Sequence, residues 1–152
     1  MNFEEYIGTK RIKAKPMTRG EYNKYRSWIT PENENPDDEG YLVKYYPDGY
    51  QSWSPKEAFE NAYRKSGEMT FGHALEVLKH GDRVARSGWN GKNQYIQLAT
   101  CISYKTTDGE IINAEHDAIG NKAIAFVGTS GIQLGWLASQ ADMLAEDWKI
   151  VD

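Results

Sequence analysis

The sequence holds one cysteine, Cys101, among its 152 residues. An intrachain disulfide is therefore excluded, in keeping with a reducing cytoplasm. Histidine is scarce as well, at three residues, and no CxxC, HxxxH or HxE spacing offers a metal ligand set. His73 and His80 share a helix face but lie about 10.5 Å apart along it, too far to share an ion. His116 and Cys101 have no partner at ligand spacing, so no metal or cofactor is expected. No apolar run approaches the roughly 20 residues of a membrane span, which argues against a membrane partner. The first ten residues are acidic and polar and do not read as a secretory signal. There is no basic excess: 18 Lys plus Arg face 22 Asp plus Glu, for a net charge of −4. A nucleic-acid polymer is thus not the expected partner. Walker A, dinucleotide and G-x-S-x-G signatures are all missing. Ser130 sits in Gly128-Thr129-Ser130-Gly131, which reads as a flexible loop, and Cys101 reads as a buried strand thiol. No positive enzymatic signal remains.

What is present is a chain that can fold, with 39% apolar residues. Its two parts differ. Residues 1–66 carry 11 basic and 11 acidic side chains and 12 of the 19 aromatics. Residues 67–152 carry 7 and 11, so the net charge lies wholly there. Lys65-Ser66-Gly67-Glu68 has no apolar residue and reads as a linker, giving expected domains 1–66 and 67–152.

In the first part, residues 9–15 read as a strand, and Thr18-Arg19-Gly20-Glu21 as a capping box opening a helix. Residues 31–40 form a loop. Strands are expected at 41–46 and 51–53 around a Pro47-Asp48-Gly49 turn. Ser54-Pro55-Lys56-Glu57 reads as a second capping box, before a helix with Ala58, Phe59, Ala62 and Tyr63 on one face. In the second part, Thr70 caps a helix through Phe71, Ala74, Leu75 and Leu78 that Gly81 stops. Strands follow at 82–87 and at 95–98 after an Asn90-Gly91 turn. A hairpin turns at Asp108-Gly109, and a strand spans 123–127. Ser139 with Asp142 reads as a capping box for a short helix, and 148–151 closes as a strand. The pattern is α+β: a small antiparallel sheet crossed by one main helix, preceded by a small N-terminal α+β module.

Two stretches carry the chemistry. Residues 83–92 alternate basic and small side chains before Trp89 at a tight turn. Residues 136–142 place Trp136 just before a helix N-terminus. Indole faces stack on nucleobases, Asn, Gln and Asp read polar edges, and Arg or a helix N-terminus takes phosphate. That set suits a nucleotide-like ligand, while a purely packing role for Trp89 and Trp136 is equally open on residues alone. Asp142 reads first as a helix cap. Glu146, four residues on, shares its face and reads as solvated.

The run from Thr70-Phe71-Gly72-His73-Ala74-Leu75 to Arg83-Val84-Ala85-Arg86-Ser87-Gly88-Trp89-Asn90-Gly91-Lys92 resembles the opening of the Thoeris anti-defence two family of small phage proteins. Trp136-Leu137-Ala138-Ser139-Gln140-Ala141-Asp142-Met143-Leu144-Ala145-Glu146-Asp147-Trp148 resembles its close. The resemblance covers residues 69–152. It implies a sponge in the host bacterial cytoplasm, a protein that is not an enzyme. Such a protein binds a cyclic ADP-ribose isomer, or a cyclic dinucleotide of cGAS-like defence, and holds it uncleaved. It also implies a homo-oligomer, expected as a tetramer, with pockets between protomers. Matching positions make Trp89, Asn90, Trp136, Ser139, Gln140, Asp142 and Met143 the ligand-site candidates, and charge adds Arg86. A hydrolase or lyase using Asp142 or Asp147 as base, and a structural or host-interaction protein, are the alternatives. Residues 1–66 resemble a small module common in phage proteins, marked by Lys15-Pro16-Met17-Thr18-Arg19-Gly20-Glu21-Tyr22-Asn23 and Ser52-Trp53-Ser54-Pro55-Lys56.

Overall fold

The structure is a computed structural model that describes residues 1–114 and 122–152. It divides into two compact units, Met1–Tyr63 and Arg64–Asp152. The chain is α+β, and its sheets are antiparallel.

The first unit is a three-stranded sheet in the order β1 (Lys13–Pro16), β2 (Gly40–Lys44), β3 (Gln51–Pro55) with two helices. Helix α1 (Arg19–Tyr25) starts where the capping box predicts: Thr18 accepts from the Glu21 N–H while Glu21 reaches back to the Thr18 N–H. Tyr22, Leu42, Val43 and Phe59 form the buried apolar set. Asn23 is buried too, and donates to Thr30 Oγ1 at 3.2 Å and Glu34 Oε1 at 3.1 Å, which offsets its desolvation. Gly40 has no side chain because the Trp53 ring and the Ser54 carbonyl occupy the space a Cβ would need. Trp53 in turn donates to the Met17 carbonyl at 2.8 Å.

Helix α2 (Lys56–Ala62) corrects the sequence reading at its start. The cap is Pro55, with no side-chain hydrogen bond, because Ser54 and Pro55 belong to β3 and pair with β2. Sheet pairing has overridden a local capping signal. Of the four residues expected on one face, Phe59 is buried and Tyr63 half-buried, while Ala58 and Ala62 are exposed. Phe59 stacks between Tyr41 and Tyr63.

The second unit holds a five-stranded sheet in the order β10 (Trp148–Val151), β4 (Arg83–Arg86), β5 (Tyr95–Ala99), β8 (Ala123–Gly128), β9 (Gly131–Leu134). A separate hairpin joins β6 (Ile102–Lys105) to β7 (Ile111–Ala114). Helix α3 (Phe71–Lys79) contacts β4, β5 and β10. It is capped by Thr70, with His73 Nδ1 reaching back to the Thr70 N–H at 3.2 Å. Its Ala74 and Leu78 meet Met69, Val84, Ile96 and Trp148 in the core. The short helix α4 (Gln140–Leu144) opens on a capping box between Ser139 and Asp142.

Four further expectations change. The segment before α3 is tied to β10: Gly67 N–H donates to the Trp148 carbonyl at 2.9 Å, and Ile150 N–H to Ser66 Oγ at 2.8 Å. Gly128-Thr129-Ser130-Gly131 is a tight turn joining paired strands, since Gly128 and Gly131 face each other in the register. Asn90-Gly91 is not a two-residue hairpin turn; it lies within a longer connection whose left-handed residue is Asn93 at φ 59°. Cys101 is exposed, because it falls between β5 and β6 and not inside a strand. His116 lies outside the described residues. Among the described residues, no cluster of three or more His, Cys, Asp or Glu could hold a metal, and no helix is long and apolar enough to cross a membrane.

Candidate functional site

The site begins where β4 ends. Strand pairing with β10 sets Arg86 opposite Trp148. The chain then turns at Ser87-Gly88, and Asp147 pins the turn: Gly88 N–H donates to its Oδ2 at 2.9 Å. A Cβ on Gly88 would fall 2.9 Å from that same oxygen, so a larger residue here would push the Asp147 carboxylate aside. The turn delivers Trp89 onto the core cluster. Its ring meets Phe126, Trp136 and Trp148 edge-on, with centroids 5.5, 6.0 and 5.4 Å away. Trp89 and Trp136 are both half-buried. Neither is sealed in the core, and neither is a free surface indole.

Asp142 holds this assembly together. Its Oδ1 accepts from Trp89 Nε1 at 3.2 Å and from Arg86 at 3.0 Å. Its Oδ2 accepts the Ser139 N–H at 3.2 Å, closing the α4 cap. Arg86 also donates through Nε to Asp147 at 3.0 Å. One guanidinium thus bridges two carboxylates, with side-chain exposures of 20% for Arg86, 13% for Asp142 and 32% for Asp147. Burial pushes the Asp142 carboxyl up, but hydrogen bonds from Arg86, Trp89 and Ser139 outweigh it and hold it below its ordinary value. Asp147 is likewise raised by burial and lowered further by Arg86 and the Gly88 N–H. The two carboxylates raise the Arg86 pKa, so the whole network is ionised at neutral pH.

Beside it lies a groove of about 460 Å³, lined in part by Arg86, Trp89, Lys92, Gln94 and Lys149. The Gln94 amide fills the space above Gly91 that a Cβ would take. An aromatic ring, an amide and three cations meet here, a set suited to a base joined to phosphate. Asp152 lines the same groove and opposes part of that charge.

Of the predicted site residues, the fold brings Arg86, Trp89, Trp136, Ser139 and Asp142 together. Of the eight, only Arg86 and Trp89 line the groove, and Asn90, Gln140 and Met143 lie exposed. Sequence reasoning passed over Trp148, Phe126, Gln94 and Lys149. The alternation of β10, which puts Trp148 and Ile150 on one face, was the available signal for Trp148. Glu146 pairs with Arg64 at 3.2 Å while staying exposed. It lies beyond the end of α4, so it and Asp142 do not share a helix face.

Comparison with known proteins covers this unit. The curated protein Thoeris anti-defense 2 of Bacillus phage SP01 is 46% identical over 89 residues, spanning 55% of this chain and 96% of that protein. The Thoeris anti-defense 2-like domain matches residues 69–151, from the β10-paired Met69 to the last residue of β10, and the chain belongs to that family.

Proposed function

We propose that this chain is a phage anti-defence protein that binds a cyclic ADP-ribose-type signal, and cyclic dinucleotides as a second class, and withholds it from its effector without cleaving it. The observation that carries this reading is the Trp89 indole, oriented by Asp142 and opening onto a groove lined by Lys92 and Lys149. Sequestration with a Kd near 0.1 µM needs about 9.5 kcal/mol. Stacked bases and a few charge-assisted hydrogen bonds are of that order. The site's carboxylates favour a binder over a hydrolase. Asp142 and Asp147 are held ionised by Arg86 and spend their lone pairs on it, which makes them poor general bases.

Homo-oligomerisation, with a tetramer as the expected state, is part of the same reading. Ile132, Leu137 and Leu144 are 73%, 89% and 77% exposed, and neighbouring protomers would cover such side chains. Leu137→Glu is expected to leave the fold intact, since the side chain is already in water. It should shift native mass spectra toward monomer and weaken ligand retention.

Native mass spectrometry with a panel of cyclic ADP-ribose isomers and cyclic dinucleotides tests the function. Heating the complex should return intact ligand; recovery of cleaved products alone rejects sequestration. Trp89→Phe keeps a ring within the aromatic cluster but presents a smaller face and loses the Asp142 hydrogen bond. It should melt within a few degrees of wild type yet bind about tenfold more weakly. Unchanged affinity would assign Trp89 to packing alone.

A further inference from the structure

The first unit has a cavity of its own. It measures about 460 Å³ and is lined by Tyr45, Tyr50 and Tyr63 together with Asp48 and Lys10. The β2–β3 connection builds it. Tyr45 N–H donates to the Tyr50 carbonyl at 2.8 Å, and Gly49 N–H to the Tyr45 carbonyl at 3.0 Å. The two rings stack with centroids 5.9 Å apart. Asp48 Oδ1 accepts the Tyr50 N–H at 3.1 Å, which fixes a carboxylate at the same place.

The Lys10 ammonium lies over the Tyr45 ring, 4.2 Å from its centroid. Lys13 stands over the neighbouring Tyr46 at 5.9 Å. Tyrosine faces carry negative quadrupole and attract cations, more strongly where water is partly excluded. Burial raises the Tyr63 pKa, with a smaller contribution from Tyr45, so that phenol stays neutral and contributes its ring and hydroxyl, not a phenolate. Lys10 itself belongs to an exposed segment without regular secondary structure. Exposed segments of this kind open at low cost.

We propose that the cavity lined by Tyr45, Tyr50 and Tyr63 is a binding site for a primary alkylammonium group, engaged at the Tyr45 face in this structure by the chain's own Lys10 and receptive to the same group from outside. The ring faces supply the attraction and Asp48 the counter-charge. Lysine side chains of a partner polypeptide and free alkylamines share this chemistry. Tethered Lys10 competes at a high effective concentration, so an external amine must displace it.

The test uses the full chain and follows the tyrosine ring-proton shifts by NMR. The probes are n-butylammonium, its neutral isostere 1-butanol, and Nα-acetyl-lysine amide. Lys10→Ala should bind n-butylammonium at least about fivefold more tightly than wild type, since the internal competitor is gone. Butanol should bind neither form. In the Lys10→Ala background, Tyr50→Leu should abolish binding, and because Tyr50 is 61% exposed the fold should survive it. Tyr45→Phe keeps the ring face and should retain binding. Tighter binding of the lysine amide than of butylammonium places the natural group on a polypeptide, and the reverse places it among free amines; both support a cation site. Equal binding of butanol and butylammonium, or equal affinity in wild type and Lys10→Ala, overturns it.

Discussion

Trp148→Ala should destabilise the second unit by about 3–5 kcal/mol. Trp148 is fully buried. Its ring meets Phe71, Trp89 and Trp136, and its Nε1 donates to the Asp142 carbonyl at 3.0 Å. Its backbone pairs with Met69 on one side and Arg86 on the other. Truncation leaves a cavity beneath the site and a carbonyl without its donor. A domain of this size is stable by only about 5–15 kcal/mol, so the cost is a large share of the total. Chemical denaturation followed by tryptophan fluorescence checks it, with Trp148→Phe as the milder companion. A midpoint close to wild type for Trp148→Ala would mean the core closes without this ring.

Arg86→Ala should produce the second largest effect, and one that depends on pH. Removing the guanidinium leaves Asp142 and Asp147 facing each other without their shared cation. The pair is partly buried, so the cost falls between the surface and buried cases, about 2 kcal/mol at neutral pH. In the wild type, both carboxyls lie below their ordinary value of 3.8 when folded. Their stabilisation is therefore present above about pH 4 and disappears as pH falls through the folded values. In the variant Arg86 no longer lowers either carboxyl, so both folded pKa values rise relative to wild type. The wild type therefore loses more stability than the variant as pH falls through the ordinary carboxylate range, from about 5 to about 3. Urea titrations across that range should show the two forms converging. A gap that is constant with pH would mean the network is not electrostatic. Ligand affinity should fall as well, because Trp89 loses the fixed Asp142 acceptor and the groove loses a charge.

Most local signals whose partners lie close in sequence match the structure; the Ser54 cap and the Asn90-Gly91 turn do not. The caps at Thr18, Thr70 and Ser139 depend on residues three positions apart, and each forms. The Asp108-Gly109 turn falls where its dipeptide places it, with Gly109 at φ 91°. The capping signal at Ser54 lost to pairing with β2, and the glycine-flanked turn at 128–131 hid β9, whose residues are all exposed and show no buried face. Cys101 carries an apolar-strand signature but sits where the strand has ended.

The sequence by itself determined that residues 69–152 go with the Thoeris anti-defense 2-like domain and that Asp142 caps a helix from Ser139. Only the tertiary structure decided what else Asp142 does. Its second and third partners, Trp89 and Arg86, are 53 and 56 positions away, and Asp147 is 61 from Arg86. No spacing rule links residues so far apart. The antiparallel register of β4 with β10 brings them within 3.2 Å, where one carboxylate can cap a helix, orient an indole and hold a guanidinium at once.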